Sequence, residues 1–201
     1  MANVLAPFGF REYGSVDGVV PNFGMATGKM LYSNALYYGD PLIWGTAGYL
    51  AAATSTGNTG AGVVGVAYSF SWVSKAQGRT VRQPWYPGSD SVNNADVTVH
   101  YTNAPSSLFT AQTTATSAGT AIGGPLVQAD IGTFFNFATG SGGSSTTGIS
   151  SFSIDFSTQA GSSTTLPFYL YAILQAPQLN TAASAGNIGV FGFNPSSFLV
   201  S

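Results

Sequence analysis

Three features of the sequence predict an all-β fold, a sandwich, jelly roll or barrel of about ten to twelve short strands. Apolar residues recur with a period of two in several short segments. Gly, Pro, Ser, Asn and Thr clusters punctuate the chain between those segments, and no stretch carries a convincing helical period. The organising stretch is Ser150 to Leu174. Phe152, Ile154 and Phe156 alternate with Ser151, Ser153, Asp155 and Ser157, which predicts a strand with one face in the core and the other in water. Leu166 to Leu174 is apolar or aromatic on both sides, which predicts a strand covered on both faces. The polar linker between them is long for a tight hairpin.

Taken in order, residues 1–30 are rich in Gly and Pro and read as an extended N-terminal arm with room for one short strand. Phe8, Phe10, Tyr13 and Phe23 need something to pack on, since a free tail with four aromatics invites aggregation. Residues 31–201 read as a single β domain. Strands are expected at Met30–Tyr32, Leu42–Trp44, Tyr49–Ala53, Val63–Val73 and Arg79–Trp85, with a turn over Tyr37–Pro41. Gly65 within the strongest of these predicts a bulge or a close backbone approach. In Asp96–Thr102, Val97, Val99 and Tyr101 are expected inward and Thr98, His100 and Thr102 outward. Leu108–Gln112, Pro125–Ala129, Thr133–Ala138 and Asn187–Phe193 complete the set. Ala182–Ala185 has room for a single helical turn.

Composition narrows the function. With 201 residues the chain can bury a core without staples, and it has no cysteine, which removes disulfides and thiolate chemistry. Charged residues make up only 6%, against about 25% in an ordinary soluble domain. Solubility is therefore expected to rest on Ser, Thr, Asn and Gly, or else much of the surface is covered by partners. Five basic residues and a net charge of −2 argue against nucleic-acid binding. No window approaches the ~20 apolar residues of a membrane helix, and the start lacks the basic and apolar regions of a secretory signal. The expectation is synthesis in a host cytoplasm, followed by assembly rather than export.

The chemistry-bearing residues are few. His100, the single histidine, falls on the polar side of its strand with neither an ordered carboxylate nor a nucleophile evident beside it. The acids Glu12, Asp17, Asp40, Asp90, Asp96, Asp130 and Asp155 do not match a calcium loop, and zinc ligands are too few. A paired-carboxylate glycosidase built from distant acids stays open. Gly24 to Met30 is too short between its glycines for a phosphate loop and has Met where Ser or Thr should hold magnesium. The expectation is a protein without enzymatic activity, cofactor or metal. Trp72, Trp85, Tyr86, Tyr37 and Tyr38 suit sugar stacking or a protein interface. In a chain so poor in charge, the interface is the stronger reading.

The order of motifs resembles the head decoration, or cement, proteins of tailed bacteriophages. The resemblance runs from Ala2-Asn3 and Pro7-Phe8-Gly9-Phe10-Arg11 through Gly39-Asp40-Pro41, Gly62 to Val66, Val97 to Tyr101 and Phe109 to Gln112. Its strongest part is Ala129 to Gly132, Thr147 to Ser150, Asp155, Ser157-Thr158, Thr165 to Pro167 and a last strand ending at Asn194. The chain departs in having Thr102 to Pro105 where an acidic turn is common, and in being less charged. The resemblance implies a jelly-roll or barrel protein on the outer capsid surface of the virion. Its partners would be the major capsid protein and its own copies, as a homo-oligomer on the lattice. The expected contact residues are Pro7, Phe8, Phe10, Arg11, Phe23, Tyr37, Tyr38, Trp44, Trp72, Trp85 and Tyr86. Removal of residues 2–24 is then expected to abolish capsid binding and leave the β structure intact. The rival reading is a phage tail or receptor-binding protein that holds glycans.

Overall fold

The computed structural model describes residues 5–18, 25–54, 62–140, 142–174 and 186–197. Fourteen strands follow one another: β1 (Arg11–Ser15), β2 (Ala26–Met30), β3 (Leu36–Tyr37), β4 (Pro41–Trp44), β5 (Leu50–Ala52), β6 (Gly65–Val73), β7 (Thr80–Gln83), β8 (Trp85–Tyr86), β9 (Val97–Thr102), β10 (Ser107–Thr114), β11 (Phe134–Ala138), β12 (Ser153–Ala160), β13 (Phe168–Ile173) and β14 (Ile188–Phe193). The described residues hold no α-helix, only short 3-10 turns such as Gln128–Asp130, where a strand was expected over Pro125–Ala129. The all-β prediction holds. The strand count exceeds ten to twelve because two-residue pairs such as β3–β8 leave no periodic trace in the sequence.

Two six-stranded sheets form the body. In the first the order is β1-β10-β12-β11-β13-β14, and β14 also pairs with β10, so five strands close into a small ring. The β10–β12 joint is parallel and short, limited to Thr113↔Ile154 and Thr114↔Asp155. In the second the order is β2-β9-β6-β4-β5, with β7 alongside β6. This sheet curls until β2 meets β5. A Cβ added at Gly28 would lie 2.5 Å from Leu50 Cδ1, so the close approach itself demands glycine there.

Two apolar cores fill the body, and the first also takes in Ala53, Val63 and Val66 from the second sheet's side. Phe10, Phe109, Phe135, Phe137, Phe168, Phe191 and Phe193 dominate the first, and Met30, Leu42, Phe70, Trp72, Val97, Val99 and Tyr101 the second. Strand β9 alternates as predicted, with Val97, Val99 and Tyr101 buried and Thr98, His100 and Thr102 half-buried. Gly65 permits the predicted close approach: an added Cβ would meet the Tyr101 ring at 2.5 Å and the Thr102 carbonyl at 2.6 Å. The register slips between Ala67 and Ser69, which turns both Ala67 and Phe70 into the core.

The organising stretch differs from its prediction in a telling way. Strand β12 was expected to show Ser153 and Asp155 to water, yet both are buried. The Ser153 hydroxyl meets Thr114 Oγ1 of β10 at 2.9 Å, and Asp155 Oδ1 accepts from the N–H and hydroxyl of Ser157. Small polar groups that find partners can be buried at little cost. Strand β13, expected to be covered on both faces, leaves Tyr171 41% exposed. The two strands are not neighbours. Strand β11 lies between them.

The separate arm over residues 1–30 is corrected as well. Strand β1 pairs with β10 in the first sheet, and β2 pairs with β9 in the second. The chain start thus contributes a strand to each sheet. The helical turn considered at Ala182–Ala185 lies outside the described residues.

Candidate protein-binding interface

The two sheets meet where three segments run together: Phe8 to Arg11, Tyr37 to Asp40 and Ser150 to Phe152. Backbone hydrogen bonds hold them. The Gly9 N–H donates to the Phe152 carbonyl at 3.1 Å, the Phe10 N–H to Gly39 at 3.0 Å and the Ser150 N–H to Tyr38 at 3.3 Å. Gly9 and Gly39 both have positive φ, and a Cβ on Gly39 would lie 2.9 Å from the Phe10 nitrogen. Only glycine lets these backbones approach so closely while adopting that conformation.

On the outer side of this junction lies a half-buried strip. The Arg11 guanidinium sits 4.0 Å from the centroid of the Tyr38 ring, and its Nε donates to the Phe8 carbonyl at 3.0 Å. The Tyr38 ring meets Tyr68 edge-on at 5.4 Å. Burial lowers the Arg11 pKa, with the Tyr38 phenol acting the other way; burial raises that of Tyr38, and raises that of Glu12. Tyr37, adjacent in sequence, is one half of a second aromatic pair, stacked on Trp85 at 6.4 Å. Gly148 packs on Trp85 and Gly143 on Tyr37, so this pair supports the loop before Ser150.

Below the strip is Asp40, 3% exposed. Its Oδ2 accepts from the Tyr37 N–H at 2.8 Å, while Oδ1 makes no hydrogen bond of proper geometry. Burial therefore pushes its carboxyl up to about 6, and the Ser150 hydroxyl and Tyr37 N–H only partly offset that.

The structure sorts the predicted contact residues into three groups. Pro7, Phe8, Arg11, Tyr37, Tyr38 and Trp85 are half-buried, and Phe8, Arg11, Tyr37 and Tyr38 gather at the junction, with Trp85 against Tyr37. Trp44 is 39% exposed at the end of β4. Phe10, Trp72 and Tyr86 are corrected: they are interior residues with partners inside the chain. Phe10 stacks on Phe168 at 4.4 Å. The indole N–H of Trp72 donates to Asp90 at 2.9 Å, and the Tyr86 hydroxyl donates to the Tyr32 carbonyl and accepts from the Ser91 N–H. Phe23 lies outside the described residues.

No protein-family model, curated protein or solved structure matches this chain.

His100 does have a hydroxyl neighbour that the sequence did not reveal, since Ser71 Oγ lies 3.0 Å from its Nε2. Burial and then Arg82 hold the imidazole below its ordinary pKa, which favours its neutral form. The pair lies across two strands of a sheet face, with no carboxylate bonded to the ring. It lacks the orienting acid of a hydrolytic triad. Among the described residues no three His, Cys, Asp or Glu converge as metal ligands, and no helix is long and apolar enough to cross a membrane. A cavity of about 320 Å³ lined by Leu5, Pro7, Gly119, Thr120, Gly140 and Ser151 offers two hydroxyls and no charge.

The sequence reading missed Tyr68 and Asp40 as members of the junction. Tyr68 was visible only as one aromatic in an alternating strand, and Asp40 only as a turn residue before Pro41. Neither pattern carries the pairing that joins them to Arg11 and Ser150.

Proposed function

We propose that the chain is a non-enzymatic virion structural protein that binds the outer capsid surface of a tailed bacteriophage. It bridges neighbouring capsid subunits and so stabilises the head, with the major capsid protein and its own copies as partners. The observation that carries this reading is the half-buried strip Phe8–Arg11–Tyr38–Tyr68 at the sheet junction. Arg and Tyr dominate the energetic anchors of protein interfaces, and a pre-ordered Arg–Tyr stack loses little entropy on docking. The motif order from Pro7 to Asn194 supports the capsid as the partner. Many weak copies on a lattice gain from effective concentration, so each contact can be modest.

The test is to mix the purified protein with undecorated capsids and image them by electron cryo-microscopy. Regular added density at lattice joints is the expected result. Bare capsids would overturn the proposal, and protein found at the tail would move it to the tail or receptor-binding reading.

A further inference from the structure

The outer face of the second sheet carries charge that the protein itself does not neutralise. Strands β2, β9, β6 and β7 lie side by side, and their register aligns Lys29 with Thr98, Thr98 with Ser71, and Ser71 with Arg82. Directly opposite residues share a face, and the next row, Met30, Val97, Trp72 and Val81, is buried in the core. Lys29, Thr98, Ser71 and Arg82 therefore form one outward row across four strands. Three inter-strand spacings separate its ends, about 14 Å.

Every nitrogen base on this face is tied to a hydroxyl rather than to an acid. The Lys29 ammonium donates to Thr98 Oγ1 at 2.9 Å, Arg82 Nε donates to Ser69 Oγ at 2.9 Å, and His100 meets Ser71. None of the seven acids lies within the four strands. Lys75 and Arg79, in the β6–β7 turn, also bond only neutral acceptors, Ser89 and Asn94 for one and Gln77 for the other. The nearest acids along the chain are committed: Asp90 accepts from Trp72 and the Ala76 N–H, and Asp96 from the Tyr49 hydroxyl. In a chain with only five basic residues, four sit on or beside this sheet.

We infer that this face docks on an acidic protein surface, with Lys29 and Arg82 bracketing carboxylates and the hydroxyls between them serving as further donors. A second copy of the chain is a poor occupant. Of its seven acids, Asp40 and Asp155 are buried, Glu12 is half-buried, Asp90, Asp96 and Asp130 already accept hydrogen bonds, and a single exposed carboxylate, Asp17, is left to meet two cations. Duplex nucleic acid is a poor occupant too, because two cations in one row neutralise few phosphates and the whole chain carries −2. This inference deepens the capsid proposal by naming the chemistry of a contact and its place, a face distinct from the junction strip.

Surface plasmon resonance of the full chain on immobilised poly-L-glutamate tests it. Wild-type binding should weaken at least tenfold between 50 and 300 mM salt. The double variant Lys29→Ser/Arg82→Ser should lose at least tenfold at low salt while keeping the wild-type circular dichroism and melting midpoint. Arg79→Ser, off the row, should change binding less than twofold. An equal loss in Arg79→Ser and the double variant would overturn the row as a site. Tighter binding to duplex DNA than to poly-L-glutamate would overturn the acidic-protein assignment. Capsid binding is scored separately. If wild type and double variant bind capsids equally, this inference fails and decoration stands. If neither binds capsids but the poly-L-glutamate difference holds, decoration fails and the face stands.

Discussion

The Arg11 guanidinium lies 4.0 Å from the centroid of the Tyr38 ring, and the two residues belong to segments that join different sheets. Arg11 opens β1, which pairs with β10 in the first sheet. Tyr38 follows β3, and its neighbour Gly39 donates to the Ala67 carbonyl within the second. A cation on an aromatic face contributes about 0.5–1 kcal/mol at a partly exposed site. The contact is therefore minor for folding, and its position on the seam matters more.

Substitution of Arg11 should separate binding from stability. Arg11→Ser removes the stack and the bond to the Phe8 carbonyl, at a folding cost of about 1–2 kcal/mol. If the strip is the capsid anchor, affinity for capsids falls at least tenfold, about 1.4 kcal/mol per site. Arg11→Lys keeps the charge but not the planar fork, and should fall between the two. Co-sedimentation with capsids and urea unfolding measure the two effects. Unchanged co-sedimentation of Arg11→Ser would remove the strip from the interface.

Phe10 leads to the opposite expectation. It is fully buried, stacked on Phe168 and edge-on to Phe109. Phe10→Ala should cost about 3–5 kcal/mol of stability, read as a shift in the urea midpoint. The same burial changes what a truncation reports. Removing residues 2–24 takes away Phe10 and β1 together, so loss of capsid binding in that variant would follow from damage to the first sheet. Point variants at Phe8 and Arg11 are the informative ones.

The fold class was legible because β9 alternates completely and β6 is rich in β-branched and aromatic residues, patterns that depend only on local sequence. The inward face of β12 was legible, with Phe152 and Ile154 buried, but the cover over Ser153, Asp155 and Tyr171 was not, for a tertiary reason. Ser153 is buried where Thr114 arrives from another strand to bond it, and Tyr171 is left 41% exposed among the described residues. The candidate interface was legible by residue type but not by depth. Phe10, Trp72 and Tyr86 look like Phe8, Trp85 and Tyr38 in a sequence, since aromatics serve cores and interfaces alike. What distinguishes them is long-range partners such as Phe168 and Asp90. The Lys29–Arg82 row was hidden for the same reason: register across four strands has no local signature.

Gly65 gives a sharp packing test. An added Cβ would stand 2.5 Å from the Tyr101 ring and 2.6 Å from the Thr102 carbonyl, and a backbone oxygen in a paired strand has little room to retreat. Gly65→Ala should destabilise by about 1–3 kcal/mol through overpacking. Gly14→Ala is the control, with nothing within 4 Å of the new methyl. It should be neutral or slightly stabilising, because alanine narrows the unfolded ensemble. Thermal melting of both variants distinguishes close approach at Gly65 from a general intolerance of substitution.

Asp40 sets the pH dependence of the seam. Its carboxyl is raised from an ordinary value of 3.8 to about 6 in the folded protein, chiefly by burial. Between those values the folded chain holds a proton that the unfolded chain has released, so stability falls as pH rises through that window. The lower stability then persists above about pH 6, and the full difference is roughly 3 kcal/mol at 1.36 kcal/mol per pKa unit. Asp40→Asn keeps an oxygen to accept from the Tyr37 N–H and removes the charge. The variant should therefore be more stable than wild type at pH 7 and close to it at pH 4. Glu12, also raised by burial, and Asp90, lowered chiefly by its bond with Ser74, titrate in both proteins and cancel in the comparison. Urea midpoints for wild type and Asp40→Asn at pH 4 and pH 7 measure the difference. A gap that does not widen with pH would mean that the buried carboxylate is compensated in the folded chain.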